Sequence, residues 1–450
     1  MAMDKFETSI VEQISNIYKK LQDPECKGRE YTEDSADGRS EYARDYARIL
    51  YSSSFRRLQG KMQILGIETT AFYRNRLTHS LEVSQIARSL AKTLALKCGK
   101  ENEMYCDEEL YLLDAAALAH DIGHPAFGHK GERVLDEIAR LYGHRFEGNA
   151  QNFRVLRKLD RHGSSPKGLN LTHRTLLAIN KYIIDENIEK KGNPKKFMYH
   201  EDYCFMDEFR QKNDIKDRTL DVQIIEIADD IAYAVHDLED GLAQGLFTID
   251  EITHEIKTFK DVKDRIKKED IDRAANEFWE IVKGIKEGLD NEEKSTTIQE
   301  YSHLFRKQLT SKLTDDFVRS IVFENYADTN ENELCMDSMH RVLCSILSKI
   351  IFKGVTRNTS IALYELKGEI IIKSLFNIFV DKNINKNYLL LPPDYRPKES
   401  DSQEQIARCV IDYIAGMMDT YAISEFERLT GVSYDSIDVA KIPNVNRKAS

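Results

Sequence analysis

Apolar residues recur along this chain at three- and four-residue spacings, the period of helices that bury one face. Ile10, Ile14, Ile17 and Leu21 form such a stripe, so residues 1–38 read as one amphipathic helix followed by a polar loop. A second pattern runs from Tyr42 to Leu65 through Ile49, Leu50, Phe55 and Leu58 and ends at Gly66, a helix stop. A third, about Thr78–Leu96, is apolar at 83, 86, 87, 90, 91 and 94, with His79 one turn before Val83. A fourth, about Glu108–Asp121, carries His120 in register with Leu113, Ala116 and Ala117. A fifth, about Val222–Gly241, is rich in Ile and Ala and holds Asp229, Tyr233 and Asp237 four residues apart, hence on one face.

Beyond these the chain turns charged but stays helical from Ile252 to about Lys294, with Trp279 as the expected anchor. Residues 337–381 return to apolar helices. Asn387–Gln403, with Pro392, Pro393 and Pro397, reads as a loop before a final helix over about Gln405–Leu429. Only 8 prolines interrupt 450 residues, and the pattern predicts an all-α fold.

Composition narrows the function classes. A net charge of −11 argues against indiscriminate nucleic-acid binding, which needs clustered Lys and Arg. Two local basic clusters remain, Arg154/Arg157/Lys158/Arg161/Lys167 and Lys190/Lys191/Lys195/Lys196; each is either an anion pocket or a solvated face. No apolar run approaches membrane-spanning length, and the polar start lacks a signal peptide's apolar core. The seven cysteines form no Cys-x-x-Cys pair and read as core filler in a reduced, cytoplasmic compartment.

The chemistry concentrates in His120-Asp121-Ile122-Gly123-His124-Pro125-Ala126-Phe127-Gly128-His129. An adjacent His-Asp pair can offer one imidazole nitrogen and one ionised oxygen to a divalent cation such as Mn, Fe, Zn or Mg. His79 and Asp229, from two other buried helix faces, would complete a set of two imidazoles and two carboxylates with positions left open. Inward acids on an Ile/Ala-rich helix need neutralising, although Asp229 could instead cap or salt-bridge a neighbouring helix. His129 and Glu132 are one turn apart, so the carboxylate can orient the imidazole for proton transfer; the alternative is that Glu132 caps its own first turn. Arg76 and the Arg56-Arg57 pair supply permanent positive charge suited to phosphate oxygens, with a surface salt bridge an equal reading for the pair.

Three stretches, Arg76-Leu77-Thr78-His79-Ser80-Leu81-Glu82-Val83, Ala119–Glu132 and Ala228-Asp229-Asp230-Ile231-Ala232-Tyr233, resemble the HD-domain superfamily. More narrowly they resemble its deoxynucleoside triphosphate triphosphohydrolases, the dGTPase family. Ser54–Leu58, Phe146–Gln151, Gly168–Thr172 and Asp237–Asp240 extend the resemblance over about residues 40–245, with an echo at Ile414–Met417. It implies an HD-domain helical fold with additional C-terminal helices: 1–40 an N-terminal helix and loop, 41–245 the catalytic core, 246–450 a helical region packed on it. It also implies cleavage of a dNTP, with dGTP foremost, into deoxynucleoside and tripolyphosphate.

Carried over by position, the metal ligands would be His79, His120, Asp121 and Asp229. His129 and Glu132 would be the catalytic dyad, with His124 on the α-phosphate. Arg76, Lys181 and Lys196 would clamp the phosphate chain, and Asn149 would make a further phosphate contact. Gln63, Tyr233 and Asp237 would hold the deoxyribose, with Tyr182 near the substrate. A homo-oligomer, a hexamer, is expected, with a nucleotide effector or single-stranded DNA as further partners. Met418 and Thr420 depart from the threonine and arginine frequent in the family, and Met198 from a frequent glycine. Other readings of the same residues are an HD phosphohydrolase for nucleoside monophosphates, cyclic nucleotides or an alarmone, and a non-catalytic nucleotide or single-stranded-DNA sensor.

Overall fold

In a computed structural model the chain is described over residues 4–33, 38–63, 74–162, 167–188, 195–259, 267–291, 297–325 and 332–445. Among these the only strands are Ile321–Glu324 and Glu333–Met336, paired antiparallel with Ile321 opposite Met336; everything else regular is helical. The all-α expectation holds. No described helix is long and apolar enough to cross a membrane.

The residues group into two units. One comprises the described residues of Met1–Gln22, Glu82–Asp114 and Thr219–Asn358; the other, those of Asp23–Leu81, Ala115–Arg218 and Thr359–Ser450. In the first, helix Leu220–Ala243 packs against Ile298–Arg319 and Ser338–Thr356, and Ile224, Ile231 and Val235 are sealed from solvent. In the second, helix Gly128–Leu141 packs on Thr359–Val380 and Gln403–Ala415 around Val134, Leu135, Ile138, Leu375, Phe376, Phe379, Val410 and Ile411. Each such side chain removed from water contributes on the order of 1.5–3 kcal/mol, which makes this core a rigid footing for the turn that precedes it.

Several expected elements differ for identifiable reasons. The single helix expected over Tyr42–Leu65 is two, Glu41–Tyr51 and Ser53–Arg57. Ser52 adopts extended backbone between them, and its hydroxyl accepts the Phe55 N–H at 3.1 Å, capping the second. The stop at Gly66 lies outside the described residues. The helix expected to reach Asp121 ends at Ala119, so His120 and Asp121 sit in the turn beyond it. The last helix is likewise two, Gln403–Ala415 and Asp419–Thr430, parted at Gly416–Met418.

Trp279 is not an anchor: it is 47% exposed, while its neighbour Phe278 is fully buried with Ala274, Ile281 and Val282. The cysteines are core filler only in part, since Cys106 and Cys204 are exposed.

Candidate active site

Within the second unit the site grows from the first turn of helix Arg76–Cys98. The Asn75 side chain accepts the Thr78 N–H at 3.0 Å, an N-cap that starts the helix with Arg76 and His79 already in its opening turn. Both side chains are buried. The His79 imidazole meets that of His120 with ring centroids 5.5 Å apart, tilted by 55°. His120 turns its Nδ1 to the Ala117 carbonyl at 2.6 Å, which places the proton there and the lone pair on Nε2. That Nε2 lies 3.7 Å from Asp121 Oδ1.

Asp121 is the electrostatic hub. Its Oδ2 pairs with Arg76 and its Oδ1 lies 2.9 Å from His124 Nδ1. Burial works against ionisation, but Arg76, His124 and His120 hold the carboxyl well below the usual carboxylate range. The turn after His120 is pressed against helix Gly148–Arg154: a Cβ on Gly123 would come within 2.1 Å of the Asn152 nitrogen. Asn152 Nδ2 in turn donates to the His120 carbonyl at 3.1 Å. The same helix offers Gly148 beneath the His124 ring, where a Cβ would sit 3.1 Å from Nε2. Glycine at these two positions allows the close approach.

Glu132 spans from this layer to the next. Its Oε1 accepts the Gly148 N–H at 2.9 Å and its Oε2 lies 3.4 Å from His129 Nδ1. It therefore caps a different helix rather than its own first turn. Burial opposes its ionisation, yet the His129 bond, the charges of His124 and Lys196, and the Gly148 amide hold it well below the usual range. His129 itself is 76% exposed and its ring centroid is 6.3 Å from that of His124.

Lys196 ion-pairs with Glu147 at 2.6 Å and approaches Glu132 at 3.9 Å, its ammonium 5.7 Å from the Tyr182 ring. Asn149 joins the same group by donating to Glu147 at 2.9 Å. Gln63 and Lys181 are half-buried in this unit, the latter just after the turn at Asn180.

On helix Leu220–Ala243 of the first unit, Asp229 and Tyr233 are half-buried and Asp237 is buried, while Asp230 is exposed. Burial pushes the Tyr233 phenol up, and Asp237 and Asp229 add to the shift, so it stays a neutral hydrogen-bonding hydroxyl. His236 on the same helix pairs with Glu82 at 2.8 Å.

Four of the five cations in the first basic cluster are committed to carboxylates rather than left for an anion. Arg154 pairs with Asp412 at 2.7 Å, Arg157 with Glu30 and Asp202, Lys158 with Glu201, and Arg161 with Asp394 at 3.0 Å. A run of cations in sequence looks the same whether its partners are distant carboxylates or a ligand. In the second cluster Lys190 and Lys191 lie outside the described residues. Of the Arg56-Arg57 pair, Arg57 donates to the Ser54 hydroxyl at 2.9 Å.

Three residues that sequence reasoning did not single out prove central: Glu147, which gathers Lys196 and Asn149, and the buried Lys61 and Asp419. Glu147 had a signal, as the residue before Gly148 in helix-capping position. Lys61 and Asp419 had none, because a charged residue's burial depends on neighbours remote in sequence.

The HD domain family model matches residues 76–234, and the phosphohydrolase-associated domain model matches 334–428. The molecule is thus of the HD phosphohydrolase class. A Vibrio cholerae protein named deoxyguanosinetriphosphate triphosphohydrolase-like protein 2 is 40% identical over 418 residues, covering 92% of this chain and 94% of that one. Deoxyguanosinetriphosphate triphosphohydrolase-like proteins of Shewanella pealeana and Shewanella oneidensis are 34% and 32% identical, covering 86% and 89% of this chain and 91% and 95% of theirs. The chain belongs to this deoxyguanosinetriphosphate triphosphohydrolase-like family of HD-domain proteins.

Proposed function

We propose that this protein hydrolyses deoxynucleoside triphosphates, dGTP foremost, to deoxynucleoside and tripolyphosphate. The observation that carries the reading is the buried His79 and half-buried His120 beside Asp121, with His124, His129 and Glu132 following within one turn and one helix start. Two imidazoles with their rings 5.5 Å apart and a carboxylate 3.7 Å from one of them are a donor set suited to a borderline divalent cation, Mn, Mg, Fe or Zn. We assign Asp229 as the remaining ligand, on the family resemblance and on its half-buried place on an Ile- and Ala-rich helix.

When bound, such a cation supplies polarisation of a phosphoryl oxygen and acidification of a water. The chain's own groups do the rest. Water adds to the α-phosphorus, the bond from phosphorus to the 5′-oxygen breaks, and that oxygen takes up a proton to leave as the deoxynucleoside. His129, oriented by Glu132, transfers a proton in this exchange. His124, held by Asp121, would bond an α-phosphate oxygen. Arg76, Lys181, Lys196 and Asn149 would stabilise the phosphate chain as charge develops. Gln63, Tyr182, Tyr233 and Asp237 would line the sugar, the Tyr233 ring occupying the space of a 2′-hydroxyl. A homo-oligomer, a hexamer, tuned by a nucleotide effector or by single-stranded DNA follows from the same resemblance.

The test is incubation of metal-loaded protein with each of the four dNTPs and resolution of the products by anion-exchange chromatography. Tripolyphosphate in equimolar amount with deoxynucleoside supports the reading. Pyrophosphate, orthophosphate or no product from all four contradicts it.

A further inference from the structure

We propose that Lys61 and Asp419 are positioning residues that grip the His124–Phe127 turn at its two ends and so set the direction from which His124 and His129 reach the substrate. The inference rests on the reading above for what the turn does, but not for the grip itself. Lys61 is only 2% exposed, and its Nζ donates to the His124 carbonyl at 2.5 Å and to the Ala415 carbonyl at 3.1 Å. Its own carbonyl accepts the Arg76 N–H at 3.3 Å. One residue therefore ties the start of the helix carrying Arg76 and His79 to the turn carrying His124. Ala415 is the last residue of helix Gln403–Ala415, where carbonyls lack helical partners and a cation is favoured.

Asp419 holds the other end. Completely buried, it accepts the Phe127 N–H on Oδ1 at 3.2 Å, and the Met62 N–H and Tyr364 hydroxyl on Oδ2 at 3.1 and 2.9 Å. Phe127 needs such holding. Its backbone is left-handed (φ 61°, ψ 27°), a conformation a phenylalanine adopts only when its surroundings over-determine it. Its fully buried ring lies 5.5 Å from that of Tyr364, and a Cβ on Gly368 would come within 2.5 Å of its Cγ. The helix that begins at the next residue, Gly128–Leu141, presents His129 and Glu132.

Two buried charged groups are an expensive way to fill space. They make sense as the two donors that the buried His124 and Ala415 carbonyls require and the two acceptors that the buried Phe127 and Met62 amides require. Burial, assisted by Arg57 and Arg76 and opposed by Asp419 and Asp121, pushes the Lys61 ammonium down to about 7, and the amine can donate in either protonation state.

The experiment compares amide hydrogen exchange of the full chain, without nucleotide, in wild type, Lys61→Met and Asp419→Asn. An asparagine carbonyl can serve one of the two backbone amides, not both. Peptides covering 122–128 should exchange about tenfold faster in each folded variant, while those covering 134–141 change by less than about twofold. Metal content should stay as in wild type, and kcat for dGTP should fall about tenfold or more with KM within about threefold. Unchanged exchange at 122–128, or a uniform rise across the chain, overturns the proposal. Should neither variant fold, wild type decides: a Phe127 amide as slow to exchange as the Leu135–Ile138 amides supports the grip, and a fast one overturns it. The exchange pattern needs no turnover, so wild type that shows it yet hydrolyses no dNTP supports the grip and removes only the proposed function.

Discussion

Glu132 accepts the backbone N–H of Gly148 at 2.9 Å, so the carboxylate that orients His129 is itself fixed by the start of another helix. A side chain with one oxygen committed to an amide has one left for the imidazole, and its rotamer is settled before substrate arrives. Replacing it by Glu132→Gln keeps an oxygen for Gly148 but turns an amide, in place of the carboxylate, towards the His129 ring. Turnover should drop by about 10²-fold with metal content unchanged, measured by steady-state kinetics and elemental analysis.

His129 is the most exposed member of the site, and its loss creates no cavity. His129→Ala should leave stability within about 0.5 kcal/mol of wild type in urea unfolding while activity collapses. Activity near wild type would remove the dyad from the mechanism.

Gly148 lets the His124 ring lie almost on the backbone. Gly148→Ala puts a methyl 3.1 Å from Nε2, so the ring must move by a few tenths of an ångström. Such a displacement of a phosphate-binding group should lower kcat by about tenfold or more. Thermal unfolding should change little, since alanine suits a helix better than glycine.

Lys61 gives the molecule a pH signature. Its ammonium titrates near 7 in the folded chain but near 10.5 when exposed, so between these values the unfolded chain binds more protons. The destabilisation from burying this charge is thus complete below pH 7 and is relieved as pH rises towards 10.5. Wild type should gain about 2 kcal/mol over Lys61→Met between pH 7 and 9, read from paired urea titrations. A constant difference would mean that Lys61 keeps its ordinary affinity for protons.

Long amphipathic segments were legible because periodicity reports the buried face directly: Arg76–Cys98 and Leu220–Ala243 lie within two residues of their expected ends. The breaks at Ser52 and at Gly416–Met418 were not. A capping hydroxyl at Ser52 interrupts the second pattern without altering its apolar stripe. At the site, the ligand-type residues declared themselves by density, three histidines and an aspartate in ten residues. The residues that hold them did not. Lys61 meets a carbonyl 354 positions away and Asp419 an amide 292 positions away, relations that no local pattern encodes. Arg154 and Arg157 misled in the opposite sense, their partners Asp412, Glu30 and Asp202 being equally remote.

The claim beneath all of this is that His79 and His120 share one cation. Elemental analysis of the purified chain after incubation with Mn and extensive dialysis tests it without reference to turnover. About one ion per chain is expected for wild type, and little or none for His79→Ala or His120→Ala once folding is verified by circular dichroism. Wild type that retains no ion, or variants that retain as much as wild type, would contradict it.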